Sequence, residues 1–311
     1  MLLAEGFFYI RKVFELMKGL LKGTYPRIRS EKKIIQLTYE LETLNAKILH
    51  RMRVDRNPML KIFSDKLQSR EYVANLGLAR ILPDLYWTGD SISELAKLCL
   101  KFESFVLKPS KGSGAIIISL KTLTDEQSRK FKVFSNPWGM YLYNSKEFDL
   151  PRALYICSKW INEDYSKRKN ALEEWAYSGH RQEIIMEEVL RNRDNQLPKD
   201  YKVFVFHGKA KLIQVDYDRF GNHTRSFYSP SWEKLDLICI YPLNGTLEQK
   251  PEELQEMLSY AEAIGSEIDF IRLDFYITED GVKFGEATVY PGGGVDKFEP
   301  IELNRRLASY W

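Results

Sequence analysis

The chain has 311 residues, 44% hydrophobic and 29% charged, with a net charge of +3. That length accommodates two domains or one large α/β unit with a well-buried core. So small a charge, with lysines and arginines mixed among acids, argues against nucleic-acid binding. Cys99, Cys157 and Cys239 lie far apart in apolar surroundings without CxxC spacing, which fits a reducing cytoplasm better than a disulfide framework. The four histidines show no metal-ligand spacing, and no apolar run reaches the length that crosses a bilayer.

From the N-terminus, Leu3, Phe7, Ile10, Phe14, Met17 and Leu21 form a helical stripe, with Arg11, Lys12, Lys18 and Lys22 among the remaining positions. Residues 1–22 fit either a basic helix on an anionic membrane surface or a helix packed on its own domain or on a partner. A second helix is expected over residues 31–53, making 1–56 a helical N-terminal region. A third is expected from Ser64 to Val73, with Ser64 as N-cap and Gly77 near its end. A short helix over 91–102 follows. Ser104–Leu107 reads as a strand that stops at Lys108, because Pro109 restricts its predecessor, and Ala115–Leu120 reads as the next strand. Between them Pro109-Ser110-Lys111-Gly112-Ser113-Gly114 is a flexible, small-residue turn, so the unit is strand, glycine loop, strand.

Helical character recurs at 151–160 and 167–175. Glu183–Val189 is a strand, Tyr201–Phe206 and Ala210–Tyr217 form a hairpin about Gly208, and 251–264 is a helix. The pattern is α+β. The last hairpin is the most informative. Ile271, Leu273, Phe275 and Ile277 alternate with Arg272, Asp274 and Tyr276, the period of a half-buried strand. A three-residue loop at Glu279-Asp280-Gly281 pairs Thr278 with Val282, Asp274 with Glu286 and Arg272 with Thr288. Like charges directly opposite are destabilising, so the acidic pair is either an incidental feature of a solvated face or a site for a hard cation such as Mg²⁺.

The order of features, Lys66, then Lys108 before a glycine loop, then Glu187-Glu188-Val189-Leu190, then Asp200, then Arg272-x-Asp274 and Glu286-x-Thr288, resembles the ATP-grasp superfamily, and more closely its TupA-like (teichuronopeptide biosynthesis) family. The resemblance covers residues 57–300. It implies an ATP-grasp fold whose two α+β subdomains, 57–182 with the glycine loop and 183–311 with the metal site, grip ATP between them. It implies phosphate contacts from Lys66, Lys108 and the backbone of Gly112, Ser113 and Gly114. Glu187, Glu188 and Val189 would line the adenine, Asp200 would accept the ribose hydroxyls, and Asp274, Glu286 and Thr288 would hold Mg²⁺. Arg272, with Lys108, would stabilise charge on the transferred phosphoryl group. Thr288 departs from the asparagine many members carry.

The implied reaction is an ADP-forming carboxylate–amine ligation through an acylphosphate, joining an amino acid or peptide to a uronic-acid-containing polysaccharide or precursor in bacterial cell-surface polysaccharide synthesis. Arg219, Arg225 and Gly293 are candidate acceptor contacts. Two other readings are open. Asp216-Tyr217-Asp218 is a DxD that fits a glycosyltransferase, and the same ATP site would serve a kinase acting on a sugar acceptor.

Overall fold

The structure is a computed structural model that describes residues 42–122, 137–167, 174–179, 181–219 and 222–311. The first expected helix, residues 31–41 of the second, and residues 168–173 of the expected helix over 167–175 lie outside these residues. Two sheets organise the rest. The first has the order β1-β5-β2-β3-β4, built from β1 (Leu85–Gly89), β2 (Phe105–Pro109), β3 (Ile116–Leu120), β4 (Met140–Asn144) and β5 (Ile184–Glu187). The second has the order β11-β10-β6-β7-β8-β9, built from β6 (Asp200–Phe206), β7 (Lys209–Tyr217), β8 (Thr224–Tyr228), β9 (Lys234–Leu235), β10 (Phe270–Thr278) and β11 (Gly281–Thr288). β5 hydrogen-bonds to β1 and β2, so the first sheet extends past the expected boundary at 182/183.

Helices α1 (Leu44–Val54), α2 (Pro58–Ser64), α3 (Lys66–Val73), α4 (Ile92–Lys101), α5 (Leu150–Asn162), α6 (Leu254–Ile264) and α7 (Ile301–Ala308) complete the described elements. One apolar core runs under both sheets, including Phe105 and Leu107 from β2, Phe204 from β6 and Phe275 from β10. Burying each such side chain contributes about 1.5–3 kcal/mol. Leu254, Met257, Ala261 and Ile264 place one stripe of α6 in that core. The expected helix from Ser64 to Val73 is two helices. Asp65 stands between them in an extended conformation and caps the second, accepting from Leu67 N at 2.9 Å and Gln68 N at 3.3 Å. Lys66 therefore opens α3, where it reaches the glycine loop.

The β10–β11 hairpin reaches its expected register by another route. Its turn has two central residues, Glu279 and Asp280, with Thr278 opposite Gly281. The Thr278 hydroxyl accepts from Asp280 N and donates to Gly281 O. This shifts the ladder by one, and a bulge at Gly285 shifts it back, so that Asp274 faces Glu286 and Arg272 faces Thr288. Gly285 is needed there because a Cβ would lie 2.7 Å from the Tyr276 ring and 3.1 Å from the Asp274 carbonyl oxygen. Gly285→Ala is expected to cost about 1–3 kcal/mol and to weaken nucleotide binding by displacing Glu286. Urea unfolding together with a nucleotide titration checks both, and an unchanged variant would refute the tight bulge.

Candidate active site

The site lies between the sheets. On β2, Phe105 and Leu107 turn into the core, so alternation sends Val106 and Lys108 to the opposite face. Glu187 on β5 stands across from Val106, and its Oε1 is 2.5 Å from Lys108 Nζ. Arg70, one turn along α3 from Lys66, approaches the other oxygen at 3.6 Å. Glu188 lines the first of two cavities in the site and accepts from Asp84 N at 2.8 Å. Val189 joins Val106, Ile116, Ile118, Leu142 and Leu197 in a separate apolar cluster. Most of that cluster lines the first cavity beside Met140 and Pro198, an apolar stretch suited to a planar ring.

At the polar end of the same cavity stand Lys66, Lys108, Asp200, Arg219 and Glu286. The glycine loop closes it. Lys66 donates to Ser110 O through its backbone at 2.7 Å and to Gly112 O through Nζ at 2.7 Å. Gly112 and Gly114 have φ of +95° and +77°, a region that favours glycine. Burial pushes the Lys66 pKa down, and Lys108 adds to that, while Glu286 at 3.7 Å, Asp65 and Glu187 work the other way. A lysine with a lowered pKa loses its charge before pH reaches the ordinary 10.5. Nucleotide affinity should therefore begin to fall on the alkaline side below that pH, and Lys66→Arg should flatten the limb. A wild-type affinity that is constant to pH 10.5 would contradict the burial of this charge.

The floor is the second sheet, where charged and polar side chains stand in two rows across the strands. One row is Glu286, Asp274, Lys202 and Gln214, and the next is Tyr276, Asp200, Asp216 and Arg225. Lys202 sits between the rows, 2.5 Å from Asp274 Oδ2 and 3.1 Å from Asp200 Oδ1. Arg272 grips Asp274 with two bonds of 2.8 and 3.0 Å and donates to Thr288 Oγ1 at 3.1 Å. Burial opposes the Arg272 charge, but Asp274 outweighs it and raises the pKa above the ordinary value. Arg219 holds both oxygens of Asp200, at 2.8 and 3.0 Å. Burial opposes the Asp200 charge too, and Arg219 and Lys202 outweigh it, so its pKa is lowered.

A second cavity adjoins the first across the β10–β11 hairpin. Arg272, Thr288, Ser113, Tyr165, Tyr177, Glu174, Tyr290 and Gly292-Gly293 line it. Arg272 NH2, in this cavity, is 4.0 Å from Glu286 Oε1, in the first. Structure thus brings Lys66, Lys108, Gly114, Glu187, Glu188, Val189, Asp200, Glu286 and Arg219 to one cavity, and Ser113, Gly293, Thr288 and Arg272 to its neighbour, while Gly112, Asp274 and Arg225 line neither. Arg219, expected at the acceptor, is instead tied to Asp200 in the first cavity. Arg225 is also committed elsewhere. It bonds both oxygens of Asp216, at 2.5 and 3.2 Å, and Cys239 O at 3.1 Å.

That leaves the Asp216-x-Asp218 motif little room for a metal. Asp216 is buried, and Gln214 as well as Arg225 bonds its carboxylate. Burial opposes its charge, but His223 Nε2 at 3.4 Å and the hydrogen bonds from Arg225 hold it well below the usual carboxylate range. Its sheet is antiparallel throughout, unlike a βαβ nucleotide unit. The residues that sequence reasoning missed are Lys202, Arg70, Tyr165 and Tyr177. Lys202 was findable, since it lies two positions after Asp200 on one strand face, and Arg70 lies four after Lys66 on a helix. The tyrosines lie in one-turn 3₁₀ segments without periodicity.

The donors present fit Mg²⁺ as part of a nucleotide complex and not as a protein cage. Among the described residues no group of three His, Cys, Asp or Glu side chains converges. Magnesium held by one or two carboxylates plus phosphate oxygens needs no such group. Glu286 faces the first cavity. Asp274 gives three of its roughly four acceptor sites to Arg272 and Lys202. The Thr288 hydroxyl is turned to Arg272.

Two α+β halves closing on a slot with lysines at one end and paired carboxylates on the floor define an ATP-grasp protein. The family model "TupA-like ATPgrasp" matches residues 46–311, and the chain belongs to that family. Among curated proteins no relative matches it. Among solved structures, D-alanine–D-alanine ligase from Bacillus anthracis is 16% identical with a TM-score of 0.43, covering 81% of this chain and 64% of that one. The ATP-grasp ligase PsnB with its minimal precursor is 10% identical, TM-score 0.36, covering 75% and 54%. N5-carboxyaminoimidazole synthase from Aspergillus clavatus, with ADP and 5-aminoimidazole ribonucleotide, is 12% identical, TM-score 0.36, covering 73% and 44%. The chain spans less than two thirds of the length of these structures. No helix among the described residues is long and apolar enough to cross a membrane.

Proposed function

We propose that the protein is an ATP-dependent, ADP-forming carboxylate–amine ligase that joins an amino acid or peptide to a uronic-acid-containing polysaccharide or precursor in bacterial cell-surface polysaccharide synthesis. The observation that carries it is the meeting of two cavities over one hairpin, Glu286 facing the nucleotide slot and Arg272 facing its neighbour at 4.0 Å. A carboxylate in the second cavity is placed to attack the terminal phosphoryl group of ATP, releasing ADP. An amine then attacks the acyl carbon of the mixed anhydride, and phosphate leaves. Lys66 and Lys108 neutralise the phosphates, the glycine-loop N–H groups bind them, and Arg272 stabilises charge on the acyl and phosphoryl oxygens. Asp274 and Glu286 would hold Mg²⁺, which supplies further charge neutralisation on phosphate oxygens. The polymer class follows the family's resemblance; the cavities themselves support the reaction type.

The test is ADP release screened over amino acids crossed with uronic-acid acceptors, with products weighed by mass spectrometry. Oxygen-18 from the acceptor carboxylate should appear in the released phosphate. A stable phosphorylated product would identify a kinase instead, and sugar transfer from a nucleotide sugar would identify a glycosyltransferase.

A further inference from the structure

We propose that Tyr165 is a positioning residue that fastens the glycine loop to the wall of the second cavity, so that closing the loop over the nucleotide and shaping the acceptor pocket are one event. The proposal rests on reading the two cavities as nucleotide and acceptor sites. Tyr165 is buried in a one-turn 3₁₀ segment, and its hydroxyl lies 3.1 Å from Ser113 Oγ. Its ring presses on the loop backbone so closely that a Cβ at Gly112 would stand 2.5 Å from Tyr165 Cδ2. The loop is held from the other side as well, by Lys66 Nζ on Gly112 O at 2.7 Å. Lys66 belongs to the nucleotide slot and Tyr165 to the second cavity.

From Tyr165 the contact continues across that cavity. Tyr177 meets it edge-on with ring centroids 5.0 Å apart, and Tyr290 meets Tyr177 at 6.4 Å. Tyr290 precedes the Pro291–Gly294 turn whose Gly292 and Gly293 form the opposite wall. On the far side of Tyr165, Trp138 packs at 5.2 Å and is anchored through its indole N–H to Glu163 Oε2 at 2.9 Å. A ring braced on both sides transmits displacement, since close-packed groups have little free volume in which to absorb it. Phosphates that draw the loop down through its N–H groups and Lys66 therefore also set the position of Tyr165 in the acceptor wall.

The test uses Tyr165→Phe, which keeps the ring, together with Ser113→Ala and the double variant, with Mg-ADP as the probe. In wild type, Mg-ADP should slow hydrogen exchange both in residues 110–114 and in the wall segment 174–179. Each single variant should exchange faster in the free loop, on the order of five- to tenfold for one lost hydrogen bond, and Mg-ADP should then protect the loop without protecting 174–179. The double variant should be no worse than either single one, because both remove the same bond. Additive effects, wild-type transmission to 174–179, or a uniform rise in exchange that marks only lost global stability would each overturn the link. A wild-type protein that does not bind Mg-ADP would overturn the nucleotide reading and the link together, whereas binding with unaffected variants removes the link alone.

Discussion

Glu286→Gln is expected to lower turnover by about 10²–10³-fold with little loss of stability, whereas Asp274→Asn should lose both activity and stability. The difference comes from what surrounds each carboxylate. The Glu286 side chain is 31% exposed and stands 3.7 Å or more from its cationic neighbours, so neutralising it leaves no cation stranded. Asp274 is 2% exposed and is the shared counter-charge of Arg272 and Lys202. Removing one member of a buried charge network costs about 3–5 kcal/mol. The bonds around Asp274 make its carboxylate part of the fold as well as of the site. Urea unfolding and ADP release at saturating Mg-ATP separate the two effects. Wild-type turnover in Glu286→Gln would remove that carboxylate from the proposed metal site.

The same hairpin marks how far the sequence could be read. Alternation placed Arg272, Asp274 and Tyr276 on one face, and the paired register of Asp274 with Glu286 followed from a loop one residue longer than the real one. The structure reaches that register because the bulge at Gly285 compensates for the shorter turn, a cancellation that periodicity cannot reveal. Residues at fixed spacing on one element were legible, as with Lys108 beside the glycine loop. Partners drawn from different elements were not. Nothing local in the sequence shows that Arg225 is consumed by Asp216, that Arg219 belongs with Asp200, or that Tyr165, Tyr177, Thr288 and Gly293 enclose one cavity. Asp65 was misjudged for a related reason. Ser64 and Asp65 are both good caps, and only the bridge between Asp65 and Lys111 explains why the chain straightens at Asp65.

Lys108→Met should weaken Mg-ATP binding more than the loss of one phosphate contact explains, because the lysine also neutralises Glu187. With Lys108 Nζ 2.5 Å away, the buried Glu187 carboxylate has a charge-assisted hydrogen bond, among the stronger interactions a side chain makes. Without it, Glu187 keeps Arg70 at 3.6 Å and the longer-range charge of Lys66, and presents negative charge toward the incoming phosphates. An affinity loss of about 10²-fold is expected, from two charge-assisted interactions of about 1.5–3 kcal/mol each, partly offset by Arg70. Adding Glu187→Gln should restore part of the binding, since the repulsive charge is gone, yet turnover should stay low because no cation replaces Lys108 at the phosphates. The coupling between the two positions should fall in the range of about 0.5–3 kcal/mol seen for contacting residues. Isothermal titration with Mg-ATP measures it directly. A double variant that binds no better than Lys108→Met would show that Glu187 repels nothing, and a single variant with wild-type affinity would remove Lys108 from the phosphate site.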